Sequence, residues 1–71
     1  MTSYAVVSFW RTPLAEVSAV AERIEALGWR EEDRGDPWTV LYAGGASEEE
    51  LRRAMGAYWL SGDEIRALRG E

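Results

Sequence analysis

Two runs with different hydrophobic periods meet at Gly44-Gly45, and no other feature of the sequence restricts the fold as much. On the N-terminal side, Trp38-Thr39-Val40-Leu41-Tyr42-Ala43 is rich in aromatic and β-branched residues and follows a proline, which is how a strand entering a tight turn is written. On the C-terminal side, Leu51, Ala54, Met55 and Tyr58 recur at helical spacing. Ser47 is placed to cap that helix, and Glu50, three residues on, completes a capping box. Glu48 with Arg52, and Glu49 with Arg53, add ion pairs one helical turn apart in the favourable orientation. A strand, a glycine turn and a helix in succession make Trp38 to Leu60 the centre of the expected fold.

The N-terminal half supplies three further elements. Tyr4 to Trp10 reads as a strand with two apolar faces, Tyr4, Val6, Ser8 and Trp10 on one side and Ala5, Val7 and Phe9 on the other. Thr12-Pro13 predicts a helix start, with Thr12 as N-cap and Pro13 in the first helical position. Leu14, Val17, Val20, Ala21, Ile24 and Leu27 then mark its buried stripe. Gly28 stops it in a left-handed conformation, which sets Trp29 against Ile24. Trp29 to Asp33 predicts a short acidic edge strand that returns through Arg34-Gly35-Asp36-Pro37 into the Trp38 strand. Near the C-terminus, Ser61 and Glu64 form a second capping box, flanked by Leu60 and Ile65 as a hydrophobic staple. A last helix from Gly62 to Arg69 follows, with Ile65 and Leu68 inward.

The order β-α-β-β-α-α over a single domain, residues 1–71, predicts a small α+β fold related to the ferredoxin-like layout. It has a three-stranded sheet, helices packed on one face and the Trp38 strand in the middle. A right-handed crossover through the first helix is expected to set the first strand parallel to the Trp38 strand. The first strand then has one uncharged edge without its usual neighbour, to be covered by a partner chain or by the last helix.

Composition narrows the chemistry. The 71 residues include no Cys, His, Lys, Asn or Gln, so neither a disulfide nor a Ser-His, Cys-His or lysine-based catalytic centre can be built. The missing thermolabile residues fit a heat-adapted source, although GC-rich coding explains absent Lys and Asn equally well. A net charge of −5 disfavours generic attachment to nucleic acid or to anionic lipid and permits a basic protein partner. No targeting or membrane-spanning segment stands out, which makes a cytoplasmic location the expectation. Glu31, Glu32, Asp33 and Asp36 are the densest acidic group, but their spacing matches no calcium loop and reads as a solvated hairpin edge. Gly44-Gly45-Ala46 precedes a helix N-terminus already filled by Glu48, Glu49 and Glu50, which would repel a phosphate. No cofactor and no metal are expected.

The aromatic residues carry the functional expectation. If Ala5, Val7, Phe9, Leu41 and Ala43 face the helices, then Tyr4, Val6, Trp10, Trp38, Val40 and Tyr42 lie together on the open face. This is more apolar surface than a monomer usually exposes, and it marks those six residues as a candidate interaction surface. The expected function is a small acidic non-enzymatic interaction module, an adaptor, regulator or inhibitor of a larger protein. It is expected to form a two-fold homodimer buried around Trp10, Trp38 and Tyr42. The alternative is a small-ligand-binding or enzyme-like dimeric α+β barrel with an aromatic-lined pocket. Val6-Val7-Ser8-Phe9 followed by a helix, a second strand and a second helix resembles the element order of peptidoglycan-binding SPOR domains over about half of the chain. The layout is also similar to ferredoxin-like monooxygenase-type barrels. Neither resemblance assigns a role to a residue.

Overall fold

In the structure of the protein, a computed structural model, residues 3–70 are described; residues 1, 2 and 71 of the expected domain lie outside them. The chain forms β1 (Tyr4–Ser8), α1 (Leu14–Ala26), β2 (Arg30–Arg34), β3 (Thr39–Ala43), α2 (Glu48–Met55), a 3-10 turn (Gly56–Tyr58) and α3 (Gly62–Leu68). The α+β class and the β-α-β-β-α-α order agree with the sequence, and the strands lie in the order β1-β3-β2 with β3 central.

Strand direction differs from the expectation. β3 is antiparallel to both neighbours, so β1 and β2 run parallel to each other with β3 between them. The crossover through α1 joins β1 to β2, and the hairpin then reverses the chain; the parallel relation belongs to that pair and not to β1 and β3.

The register decides which side chains enter the core. Ala5 pairs with Tyr42 and Val7 with Val40, and directly opposed residues share a face of the sheet. Val40 and Tyr42 therefore point to the same side as Ala5 and Val7, towards the helices, and are 0% and 2% exposed. Their expected place on the open face is corrected by this pairing. Leu41, opposite Val6, takes the outer side in their stead. The core joins Ala5, Val7 and Phe9 with Val40 and Tyr42 of β3, Val20 and Ile24 of α1, Trp29, and Leu51 and Met55 of α2. α1 and α2 pack against each other over this face.

Local signals set the ends of the elements, with small shifts. β1 stops at Ser8 because the chain turns: the Thr12 N–H donates to the Phe9 carbonyl at 3.0 Å and the Trp10 N–H to Ser8 Oγ at 3.2 Å. Trp10 leaves the strand there. Pro13, one residue later than expected, is the N-cap of α1; the Thr12 hydroxyl is buried and has no hydrogen-bond partner among the described residues. Leu14 and Leu27, at the two ends of the expected apolar stripe, are exposed, as is Leu68 of α3. Ser47 with Glu50, and Ser61 with Glu64, form the two capping boxes read from the sequence.

Gly28 adopts φ +99°, and its N–H donates to the Glu25 carbonyl at 3.0 Å, which closes α1 and turns the chain so that Trp29 enters the core. Among the described residues, no atom beyond the glycine and its two chain neighbours lies within 4 Å of where a Cβ would stand, so a side chain meets backbone strain there. Gly28→Val is expected to cost about 1–2 kcal/mol, the penalty of a left-handed β-branched residue. Chemical denaturation measures it, and a midpoint equal to wild type would show that residue 28 is not held left-handed.

The two edges of the sheet are built differently. β2 is exposed throughout as Arg30-Glu31-Glu32-Asp33-Arg34, and its pairing slips between Glu31 and Asp33 in a bulge at Glu32. Charge and bulge both discourage a further strand from adding there. β1 has no charged residue. The Phe9 N–H donates to the Trp38 carbonyl at 2.7 Å and the Gly44 N–H to the Ser3 carbonyl at 2.9 Å. Alternation from these bonds turns the backbone of Ala5 and Val7 towards β3 and that of Tyr4, Val6 and Ser8 away from it.

Candidate functional site

The six residues singled out in the sequence divide between two environments. Val40 and Tyr42 belong to the core, whereas Tyr4, Val6, Trp10 and Trp38 reach the surface, with Trp10 57% and Trp38 37% exposed. Tyr4 and Val6 flank Leu41 on the outer side of the sheet. Trp10 and Trp38 form a separate feature at the end of the sheet where β1 finishes and β3 begins. Their rings meet edge to face, with centroids 5.7 Å apart and planes at 85°, within the range favoured by aromatic pairs.

Local chain geometry builds this corner. The turn after Ser8 swings Trp10 outward, and Asp36 fixes the approach to β3: its Oδ1 accepts from the backbone N–H groups of both Trp38 and Thr39, each at 2.8 Å. Those contacts, the Trp38 N–H first, hold the Asp36 carboxyl below its ordinary value, with Thr39 and the charge of Arg69 acting in the same direction. The loop therefore carries a formal negative charge beside two indoles.

α3 closes the other side. Ile65, Leu68 and Arg69 share with Ser8, Trp10, Asp36, Trp38 and Thr39 the lining of a hollow of about 120 Å³. Val6 borders a neighbouring hollow with Trp59, Ile65 and Arg66. α3 thus lies against the outer side of the sheet at this end, and Ser8 and Thr39 are buried there. An ion pair pins it: Arg11 Nη2 is 2.9 Å from Glu64 Oε2. The sequence marked neither Asp36 nor Arg69 for this place. Asp36, two and three residues before the N–H groups it accepts, carried a local signal as a turn residue; the position of α3 had none, because it depends on tertiary packing.

Among the described residues no group of three or more carboxylates is placed to hold a metal ion. The hairpin acids are engaged otherwise: Arg34 forms a two-toothed contact with Glu31 at 3.1 and 3.2 Å, and Arg30 pairs with Glu32 at 3.4 Å. No helix among the described residues is long and apolar enough to cross a membrane.

Glu64 is the second carboxyl held below its ordinary value, first by the Ser61 N–H and then by Arg11. A carboxyl whose folded value is depressed adds stability above its unfolded value, and that contribution is lost as pH falls through the folded one. Acidification below the ordinary carboxylate range, about pH 4, is therefore expected to loosen α3 and the Asp36 loop. Indole chemical shifts of Trp10 and Trp38 followed from pH 6 downward give the check. A Glu64→Gln variant in which those shifts respond to acid as steeply as in wild type would show that Glu64 does not supply the dependence at α3.

Comparison of the chain with protein-family models, with curated proteins and with solved structures gives no match in any of the three.

Proposed function

We propose that this chain is a non-enzymatic protein-interaction module, an adaptor, regulator or inhibitor that docks on a larger protein through the end of the sheet bearing Trp10 and Trp38. The observation that carries this reading is the exposed indole pair in edge-to-face contact, with the Ser8 turn and the Asp36 loop holding the backbone of Trp10 and of Trp38. Tryptophans held in place lose little entropy on binding and are enriched among residues that dominate interfaces. The hollow beside them offers hydroxyls, a carboxylate and a guanidinium, but the sequence has no His, Cys or Lys to act as base or nucleophile. The small-ligand reading drew on an open face of Tyr4, Val6, Trp10, Trp38, Val40 and Tyr42; with Val40 and Tyr42 in the core, that face loses one of its four aromatics, and Tyr4 remains with Trp10 and Trp38.

Affinity capture from the source organism with wild type and with a Trp10→Ala/Trp38→Ala variant tests the proposal, after circular dichroism has established that the variant folds. Proteins retained by the first and lost by the second support it. A retained set indifferent to both indoles sinks it. Light scattering on the same pair of proteins reads the self-associating form of the proposal, in which a two-fold dimer uses Trp10 and Trp38 without Tyr42 and reverts to monomer in the variant.

A further inference from the structure

We infer that the corner between Trp10 and Trp38 receives a cationic side chain, a lysine or arginine presented by a basic segment of the partner protein. The inference rests on the reading of this end as a docking surface and specifies what enters it. The two indoles, in edge-to-face contact, are 57% and 37% exposed and line one hollow, and cations are attracted to aromatic faces, those of tryptophan most strongly. Asp36 lines the same hollow with its carboxylate oriented by two backbone N–H groups, so a negative charge stands ready without reorganisation. Arg69 lines it too, and its charge acts on Asp36, so a cation already stands beside the carboxylate.

Size and charge favour this occupant over others. The hollow that both indoles line, about 120 Å³, suits the head of one side chain and falls short of the roughly 300 Å³ at which small-molecule sites begin; a larger hollow of about 580 Å³ is lined by Trp10 without Trp38 or Asp36. The net charge of −5 attracts a basic segment, whereas a second copy of the chain would bring the same charge to the contact. Single-stranded nucleic acid, which also stacks on tryptophan, is repelled by that charge.

The probes are N-acetyl-lysine methylamide, tetramethylammonium and, as the neutral isostere of lysine, N-acetyl-norleucine methylamide, each titrated into the protein at low salt. The readout is the indole N–H resonances of Trp10 and Trp38. Both cations are expected to shift the two signals with millimolar midpoints, and the norleucine compound to bind about ten-fold more weakly or not at all. Asp36→Asn, which keeps an oxygen acceptor for the Trp38 and Thr39 N–H groups, should weaken the cations alone. Arg69→Ala removes a competing positive charge and should strengthen them, an effect that an apolar notch would not produce. Equal shifts with the norleucine compound, or shifts with a short single-stranded oligonucleotide and none with the cations, overturn the inference. If no probe shifts either indole while protein capture still depends on Trp10 and Trp38, the cation is wrong and the docking surface stands. Loss of both results removes the two together.

Discussion

Gly45→Ala is expected to destabilise the protein by about 3 kcal/mol, at the upper end of what an added methyl group costs in a packed interior. Its cause is the approach of the backbone at Gly45 to the ring of Trp29. A Cβ at this position would stand closer than 3.0 Å to Cε2, Nε1 and Cδ2 of that indole. The ring cannot swing aside, because Trp29 is buried in the same core as Ile24, Tyr42 and Leu51. For a domain of 71 residues, whose whole stability is about 4–10 kcal/mol, the loss is a large fraction. Urea denaturation measures it. In a Trp29→Leu background the alanine should cost much less, since the clash has gone, and equal costs in both backgrounds would place the strain elsewhere.

Tyr42→Ala should lose still more, about 3–5 kcal/mol, while Tyr4→Ala stays within about 0.5 kcal/mol of wild type. The two tyrosines occupy neighbouring strands and differ in exposure, 2% for Tyr42 against 60% for Tyr4. Removing Tyr42 leaves a cavity between β3 and the helices, whereas Tyr4 already lies in water on the outer side. Thermal denaturation of the two variants side by side checks the register of the sheet. Similar losses for the two variants would put both tyrosines on one face and mean that β3 is turned over relative to β1.

This pair also shows where the sequence stopped being informative. In β1, Ser8 breaks one alternating set and leaves Ala5, Val7 and Phe9 as the consistent inner face, which the structure buries. In β3 both alternating sets, Val40 and Tyr42 or Thr39, Leu41 and Ala43, are compatible with a core, so periodicity alone cannot choose between them. Pairing with β1 makes the choice, and that is a long-range relation. The capping boxes at Ser47 and Ser61 and the stop at Gly28 were legible because each is completed within a few residues. At the candidate site, Trp10 and Trp38 were legible as aromatics at strand ends. Their right-angled contact, and the carboxylate and guanidinium beside them, arise only when a turn, a loop and α3 converge.

The unequal edges of the sheet limit how far copies of this chain could ever stack. An assembly that adds strands without end needs two receptive borders on each unit, one to accept the preceding unit and one to offer to the next. Here the β2 border is bent at Glu32 and lined with charge, so only the β1 border is receptive. If two chains were to join through β1, each would consume the other's receptive border, and the resulting six-stranded sheet would present a β2 border on both sides. Growth would terminate at that pair.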